Sequence, residues 1–285
     1  MDRKALSMAM ADVVSRHEIL RTVYPDRDGV PYQEVRQPAP VAVPMWQPDM
    51  PETAMRTIAR RAFDLTREPP FRAHLLRLGT DEHILMLVVH HIAADAWSVG
   101  PLVHDVRTAY AARAAGHSPG FDPLPVQYAD YTLWQLDLGE PGREHWTKAL
   151  AGLPERLTLP TDRPRPAVPS GTGDTVPVAI SPETWTGTLD LARRSHASPF
   201  MVLHATLAAL LTRLGAGTDI PTGTPVSGRH DSALAGAVGA FANLLVLRAD
   251  TSGDPSSPTF CTGYARPTWP PSTIRNCPSI GWSRR

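Results

Sequence analysis

The chain has 285 residues, 42% of them apolar, so it can bury a sizeable core in one large or two small domains. Its 28 Lys and Arg residues balance 28 Asp and Glu residues, and this neutral charge points to neither a nucleic acid partner nor an anionic membrane. No membrane-spanning stretch or signal-peptide core is visible, so we expect a cytoplasmic location. Cys261 and Cys277 are the only cysteines, which excludes a thiolate metal site or a disulfide within the first 260 residues.

The first part of the chain alternates predicted helices and strands. Apolar residues at helical spacing predict a helix over 5–17, with Asp2 as its N-cap, and a second helix over 52–63. A strand pair over 71–78 and 83–91 surrounds a short polar turn. The uninterrupted apolar run within the second of these strands predicts a central strand that is covered on both faces.

Ser98 is a candidate N-cap for the next helix, which Gly116 can end. A proline-rich stretch over 154–177 then predicts an extended crossing to a second set of elements. That second set contains a strong apolar helix over 200–214 and later strands. The order of the elements therefore indicates a two-lobed α/β architecture.

The chemically informative residues are His90 and His91, which end the apolar strand, and Asp95, which follows them. Neighbouring side chains in a strand point to opposite faces, which argues against a two-histidine metal site. One imidazole facing a cleft could act as a general base near neutral pH. Taken alone, however, such a pair is more often packed within the core than catalytic.

The sequence resembles a known family at four motifs, which occur in the same order as in that family. Residues 90–98 resemble the HHxxxDG motif of the condensation domains of non-ribosomal peptide synthetases, and 16–22 resemble the RHExLRT motif. Residues 128–135 are similar to the YxDYxxWQ motif, and 223–243 to the GTPxxxR and GxFxN segment. The resemblance extends from residue 2 to residue 256.

The resemblance implies a chloramphenicol-acetyltransferase-like fold, in which two α/β lobes enclose an active-site tunnel. It implies an acyltransferase-type enzyme of secondary metabolism that forms a peptide bond between two carrier-bound groups. Donor and acceptor carrier proteins would deliver these groups on phosphopantetheine arms, within an assembly line that also holds adenylation domains. No metal or other cofactor is implied for the domain itself.

The resemblance also assigns roles to individual residues. His91 would accept a proton from the acceptor amine or orient it, and His90 would be the packing or supporting histidine. Asp95 would have a structural role, in an ion pair with Arg21. A second set of residues, for which the resemblance suggests only places along the tunnel, consists of Ala96, Trp97, Ser98 and Asn243.

The chain departs from the family pattern at Ala96, where the family has glycine. If this position has a positive φ, alanine would cost about 1–2 kcal/mol. The family's first motif has no counterpart before Met1. After residue 256 the sequence no longer shows a periodic pattern of apolar residues. If residues after 256 are back-translated and the codons are read in a shifted frame, the resulting sequence can resemble the continuation that the family has there. We therefore expect a frameshifted, poorly structured tail over 257–285.

The predicted domains are therefore a nearly complete N-terminal lobe over 1–165 that lacks its first strand, and a partial C-terminal lobe over 166–256. These lost ends keep a second hypothesis open, in which the chain is an inactive remnant of a condensation domain. A third hypothesis is an epimerisation-type or other acyltransferase relative on the same fold.

Overall fold

The computed structural model describes residues 1–139, 142–154, 156–171 and 173–253. Their contacts define two compact units, of which the first holds Met1–Gly139 and Ser227–Ala242. The second unit holds the described residues of 142–226 and 243–253. The first unit thus consists of two segments of the chain, because the chain returns to it at Ser227. The predicted tail over 257–285 lies outside the described residues.

The described residues form seven α-helices. These are α1 (Arg3–Arg16), α2 (Pro51–Arg60), α3 (Val99–Ala114), α4 (Tyr128–Leu138), α5 (Arg143–Ala149), α6 (Pro182–Arg194) and α7 (Pro199–Arg213). Three short 3₁₀ turns accompany them, at Glu18–Arg21, Ala96–Ser98 and Ser232–Leu234.

Nine strands are present in the same part of the chain. They are β1 (Thr22–Val23), β2 (Asp26–Arg27), β3 (Val30–Pro31), β4 (Glu34–Val35), β5 (Met45–Trp46), β6 (Phe71–Arg77), β7 (His83–Val89), β8 (Asp219–Val226) and β9 (Asn243–Asp250). Strands β1 and β4 pair antiparallel, as do β2 and β3 and the longer pair β8 and β9. The remaining sheet has the order β5-β6-β7.

Helix α1 begins where the sequence predicts, because the carboxylate of Asp2 accepts hydrogen bonds from the Lys4 and Ala5 backbone N–H groups at 2.8 and 3.0 Å. One face of the helix is apolar and fully buried, and Met10 and Val13 are 0% exposed. Helix α1 therefore forms part of the main core of the first unit, together with α3 and the inner face of β6.

The predicted strand pair is confirmed, but the predicted place of the second strand is wrong. Strand β6 is the middle strand of the sheet, and Leu75 and Leu76 within it are almost fully buried. Strand β7 lies at an edge of the sheet among the described residues, and all seven of its residues are partly exposed. A continuous apolar run does not distinguish an edge strand from a central one, since both can be apolar on both faces.

The second unit contains the predicted apolar helix as α7, which Ser198 caps through a 3.2 Å bond from the Met201 N–H to its hydroxyl. Strands β8 and β9 pair from Asp219 opposite Asp250 to Val226 opposite Asn243. The residues between these two strands belong to the first unit. No helix in the described ranges has the length and apolar character that a membrane crossing requires.

Candidate active site

The histidine pair lies where β7 turns into α3. The chain leaves β7 after Val89 and passes through a tight turn to a short 3₁₀ segment, Ala96–Ser98. Asp95 caps this segment, because its Oδ1 accepts from the Ser98 N–H at 2.8 Å. Ser98 completes the reciprocal cap by accepting from the Asp95 N–H at 3.3 Å.

His90 is held by the protein. Its Nδ1 accepts a hydrogen bond from the Ile92 N–H at 3.0 Å, and its backbone N–H donates to the Pro70 carbonyl at 2.9 Å. The edge of its ring meets the Phe63 ring at a centroid distance of 5.9 Å. These contacts fix the turn, which is consistent with a packing histidine.

The adjacent His91 has the opposite environment. Its side chain is exposed, and within the described part of the chain no hydrogen bond or ion pair reaches its ring. An imidazole without a protein partner keeps both ring nitrogens available to a ligand. The two histidines therefore lie in different surroundings, as expected for neighbours at a strand end.

Asp95 does form a buried ion pair, but its partner is not the predicted one. The Nη1 of Arg229 lies 2.7 Å from the Asp95 Oδ2. Arg21, which was expected in this place, instead donates to the Glu18 carboxylate at 3.0 Å and to the Arg36 carbonyl. The reason is local, because the 3₁₀ turn Glu18–Arg21 places its last side chain beside the carboxylate three residues earlier.

The Asp95 carboxylate also binds the segment that carries Arg229. Its Oδ2 accepts from the backbone N–H groups of Phe241 and Ala242 at 3.1 and 3.0 Å. The hydroxyl of Ser98 accepts from the Arg229 Nη2 at 2.9 Å and from the Gly239 N–H at 3.1 Å. We call these five residues and Asp95 the 95–229 network. It holds the turn that bears His91 against the segment 227–242 of the same unit.

Arg229 ends the GTPxxxR motif, and no local pattern assigns it a role. Its separation of 134 residues from Asp95 hides the pair from any local pattern. One signal was available: a buried carboxylate needs a cation, and the motif arginines Arg16, Arg21 and Arg229 were the candidates.

The four residues predicted to lie along the tunnel differ in burial and in the unit to which they belong. Ser98 is fully buried within the 95–229 network, whereas Ala96 and Trp97 are exposed beside it. Ala96 is not among the described residues with a positive φ, so the glycine-to-alanine departure strains nothing. Asn243 belongs to the second unit, where its Oδ1 accepts from the Leu244 N–H at 2.9 Å. Its predicted place along a tunnel stays a prediction.

An aromatic cluster supports the same segment. Tyr131 packs on its helical neighbour Trp134 at 5.7 Å and on Phe241 at 4.8 Å. The Tyr128 hydroxyl donates to the Ala240 carbonyl at 3.2 Å. Burial raises the pKa of Tyr128 to about 12, so this phenol stays protonated at neutral pH. The guanidinium of Arg229 lies over the Phe241 ring at 4.3 Å.

Over the described ranges, no group of three or more His, Cys, Asp or Glu side chains is arranged to hold a metal ion. The chemistry open to these residues is proton transfer and orientation by His91, on a turn that Asp95 and Arg229 hold in place.

Comparison with known proteins identifies the family. The family model of the condensation domain matches residues 1–262. The chain is 52% identical over 263 residues to a probable non-canonical non-ribosomal peptide synthetase, CymA, of Salinispora arenicola, a match that covers 88% of this chain and 3% of that protein. It is 47% identical over 270 residues to a dimodular non-ribosomal peptide synthase of Bacillus subtilis, covering 90% of this chain and 11% of that protein.

Solved structures agree with the sequence relatives. The X-domain from teicoplanin biosynthesis is 33% identical and superimposes with a TM-score of 0.86, over 93% of this chain and 61% of that one. The chain thus spans a small part of the synthetases it matches and about three fifths of the X-domain. Its fold is the mixed α/β fold of these domains, and the chain belongs to the condensation-domain family.

Proposed function

We propose that this chain is the part of a condensation domain that joins a carrier-bound donor acyl group to the amine of a carrier-bound acceptor. Family membership supports this reaction class. The observation that carries the proposal is the exposed His91 ring, which has no protein partner in the described residues and sits on a turn fixed from both sides.

The proposed reaction is an acyl transfer from sulfur to nitrogen. The acceptor amine attacks the donor thioester carbonyl, forming a C–N bond as the C–S bond breaks. His91 would take or direct the proton that leaves the amine, and the departing pantetheine thiolate would receive a proton.

Asp95 has a different role in this proposal. Its two carboxylate oxygens already bind Arg229, Ser98 and the backbone of the 241–242 segment. A carboxylate occupied in this way is not free to accept a further proton from His91. We therefore assign Asp95 to holding the site, and Arg229 to neutralising its buried charge.

The partners follow from the reaction. Donor and acceptor carrier proteins would present their phosphopantetheine arms, and adenylation domains of the same assembly line would load them. The domain itself would need no resident cofactor, and the setting would be the cytoplasm.

The test is a condensation assay with the full chain and two carrier proteins, each loaded with an amino acid as its thioester. Wild-type chain should form carrier-bound dipeptide, detected by mass spectrometry. His91→Ala should lower the rate by about a hundredfold, in the range that general acid–base groups contribute. A rate for His91→Ala equal to wild type would remove its catalytic role. No dipeptide from wild-type chain would favour the inactive remnant.

Two control variants separate chemistry from folding. His104→Ala removes another exposed imidazole, on α3, and should leave the rate unchanged. His90→Ala removes the Phe63 and Ile92 contacts and should lower the thermal midpoint. His91→Ala should leave that midpoint within the small range of surface substitutions.

A further inference from the structure

A cavity of about 640 Å³ lies beside β6 in the first unit. Its walls come from residues between Val14 and His74, and none of them belongs to the 90–98 turn. The volume is in the range of sites that hold small organic molecules, about 300–1,000 Å³.

The charge of this wall is strongly one-sided. Among the described residues that line the cavity, Glu68 is the one acidic side chain. The five arginines of the wall are Arg21, Arg36, Arg61, Arg67 and Arg72. Arginine guanidinium groups match carboxylate and phosphate geometry through paired N–H donors.

Acidic groups outside the wall neutralise part of this charge. Glu18 lies 3.0 Å from Arg21 and Glu34 lies 2.8 Å from Arg36, while Asp64 is 3.8 Å from the exposed Arg67. These three carboxylates do not line the cavity, whereas their arginine partners do. Arg72 is bound to Glu68 at 2.8 Å and is the arginine that the wall itself neutralises.

The Nε of Arg21 has no hydrogen-bond partner within the described residues, but it is buried and so is not offered to a ligand in the cavity. One arginine of the wall has a guanidinium that stays available. Arg61 is exposed, and no ion pair or side-chain hydrogen bond to its guanidinium occurs in that part of the chain. The positive charge of Arg61 acts on two neighbouring groups, since it helps to lower the pKa values of Glu68 and His74.

His74 adds a neutral donor to the same wall. The residue is 8% exposed, and its Nδ1 accepts from the Trp46 indole N–H at 3.2 Å. The neutral tautomer that accepts at Nδ1 carries its proton on Nε2. Burial, with Arg72 and Arg61, lowers the pKa of His74 and favours this neutral form.

Apart from Gln37, the rest of the wall is apolar. It includes Pro40, Val41 and Pro44, together with the buried Leu20 and Phe71. A ligand that satisfies both parts therefore has a charged end and an apolar body.

We propose that this cavity binds a small organic anion, with a phosphate or carboxylate head among the arginines and an apolar body against the proline-rich wall. The site is separate from the proposed amide-forming role of His91 and does not depend on it.

The experiment is isothermal titration calorimetry of the full chain with four probes: hexyl phosphate, hexanoate, inorganic phosphate and hexanol. Hexyl phosphate or hexanoate should bind saturably, and whichever binds more tightly identifies the head group. Inorganic phosphate and hexanol, which each lack one half of the ligand, should bind at least tenfold more weakly. Raising the ionic strength should weaken the binding.

Arg61→Gln and Arg60→Gln form a matched pair, because Arg60 is the exposed neighbour that ends α2 outside the cavity wall. Arg61→Gln should weaken the binding of the preferred probe about tenfold, and Arg60→Gln should leave it unchanged. Equal loss in both variants, equal affinity for hexanol, or no saturable binding of either organic anion would overturn the proposal. Circular dichroism of each variant establishes that its fold is retained.

Discussion

Arg229 and Asp95 form a deeply buried ion pair in the first unit, with side chains 8% and 1% exposed and 2.7 Å between Nη1 and Oδ2. Removing one partner of such a pair leaves an uncompensated buried charge, at a cost of about 3–5 kcal/mol. We expect Arg229→Ala and Asp95→Ala each to lower the free energy of unfolding by this amount in urea denaturation. Arg21→Ala, which loses a partly exposed pair with Glu18, should cost less. Wild-type stability for Arg229→Ala would contradict the assignment.

The segment 227–242 offers a test of how closely it packs. Gly228 has a φ of +65°, and a Cβ there would lie 1.9 Å from the Phe241 carbonyl oxygen. Gly228→Ala should therefore combine backbone strain of about 1–2 kcal/mol with an overlap of about 1–3 kcal/mol. At Gly236 a Cβ would meet only Leu124 at 3.6 Å, so Gly236→Ala should be tolerated. Equal thermal midpoints for the two variants would contradict this prediction, because they would show that the segment can rearrange to make room for the added methyl group.

Ala96→Gly restores the residue that the family has at this position. Because Ala96 already lies in a 3₁₀ turn without a positive φ, glycine relieves no strain. The substitution should lower stability by about 0.5–1 kcal/mol, through the extra freedom of the unfolded chain. It should not raise the rate in the condensation assay. A gain in rate of tenfold or more would contradict this expectation and would indicate that the methyl group of Ala96 obstructs the substrate.

His74 predicts a pH dependence of stability. Its pKa in the folded chain is below the ordinary value of 6.5, so the unfolded chain binds more protons just below that value. Its stabilising contribution is complete above about pH 6.5 and is lost as the pH falls towards the folded pKa. Urea midpoints measured at about pH 7.5 and 5.5 should drop less for His74→Gln than for wild type. An exposed control, His104→Gln, should follow the wild type, and an identical slope for His74→Gln would contradict the prediction.

Local sequence signals predicted the elements that depend on local physics. The cap at Asp2, the paired strands β6 and β7 and the apolar helix α7 all follow from local capping and spacing. The motif histidines were also placed correctly at the end of a strand. These features need only neighbours within a few residues, which is the range over which a pattern carries information.

The partner of Asp95 could not be predicted in the same way. Several arginines could neutralise this carboxylate, and the choice depends on how the chain returns from Val226 to the first unit. The edge position of β7 depends in the same way on which strands pair, since its composition suits either place. Long-range topology, rather than residue chemistry, decided both outcomes.

The network around Asp95 has a consequence for synthesis on the ribosome. Ser98 and Asp95 emerge long before Arg229, and 134 residues separate the two charges. At a translation rate of about 5–20 residues per second, Arg229 is synthesised roughly 7–27 s after Asp95. During that interval the histidine turn lacks its contacts with the segment 227–242, so the first unit reaches its final form after most of the second has been translated.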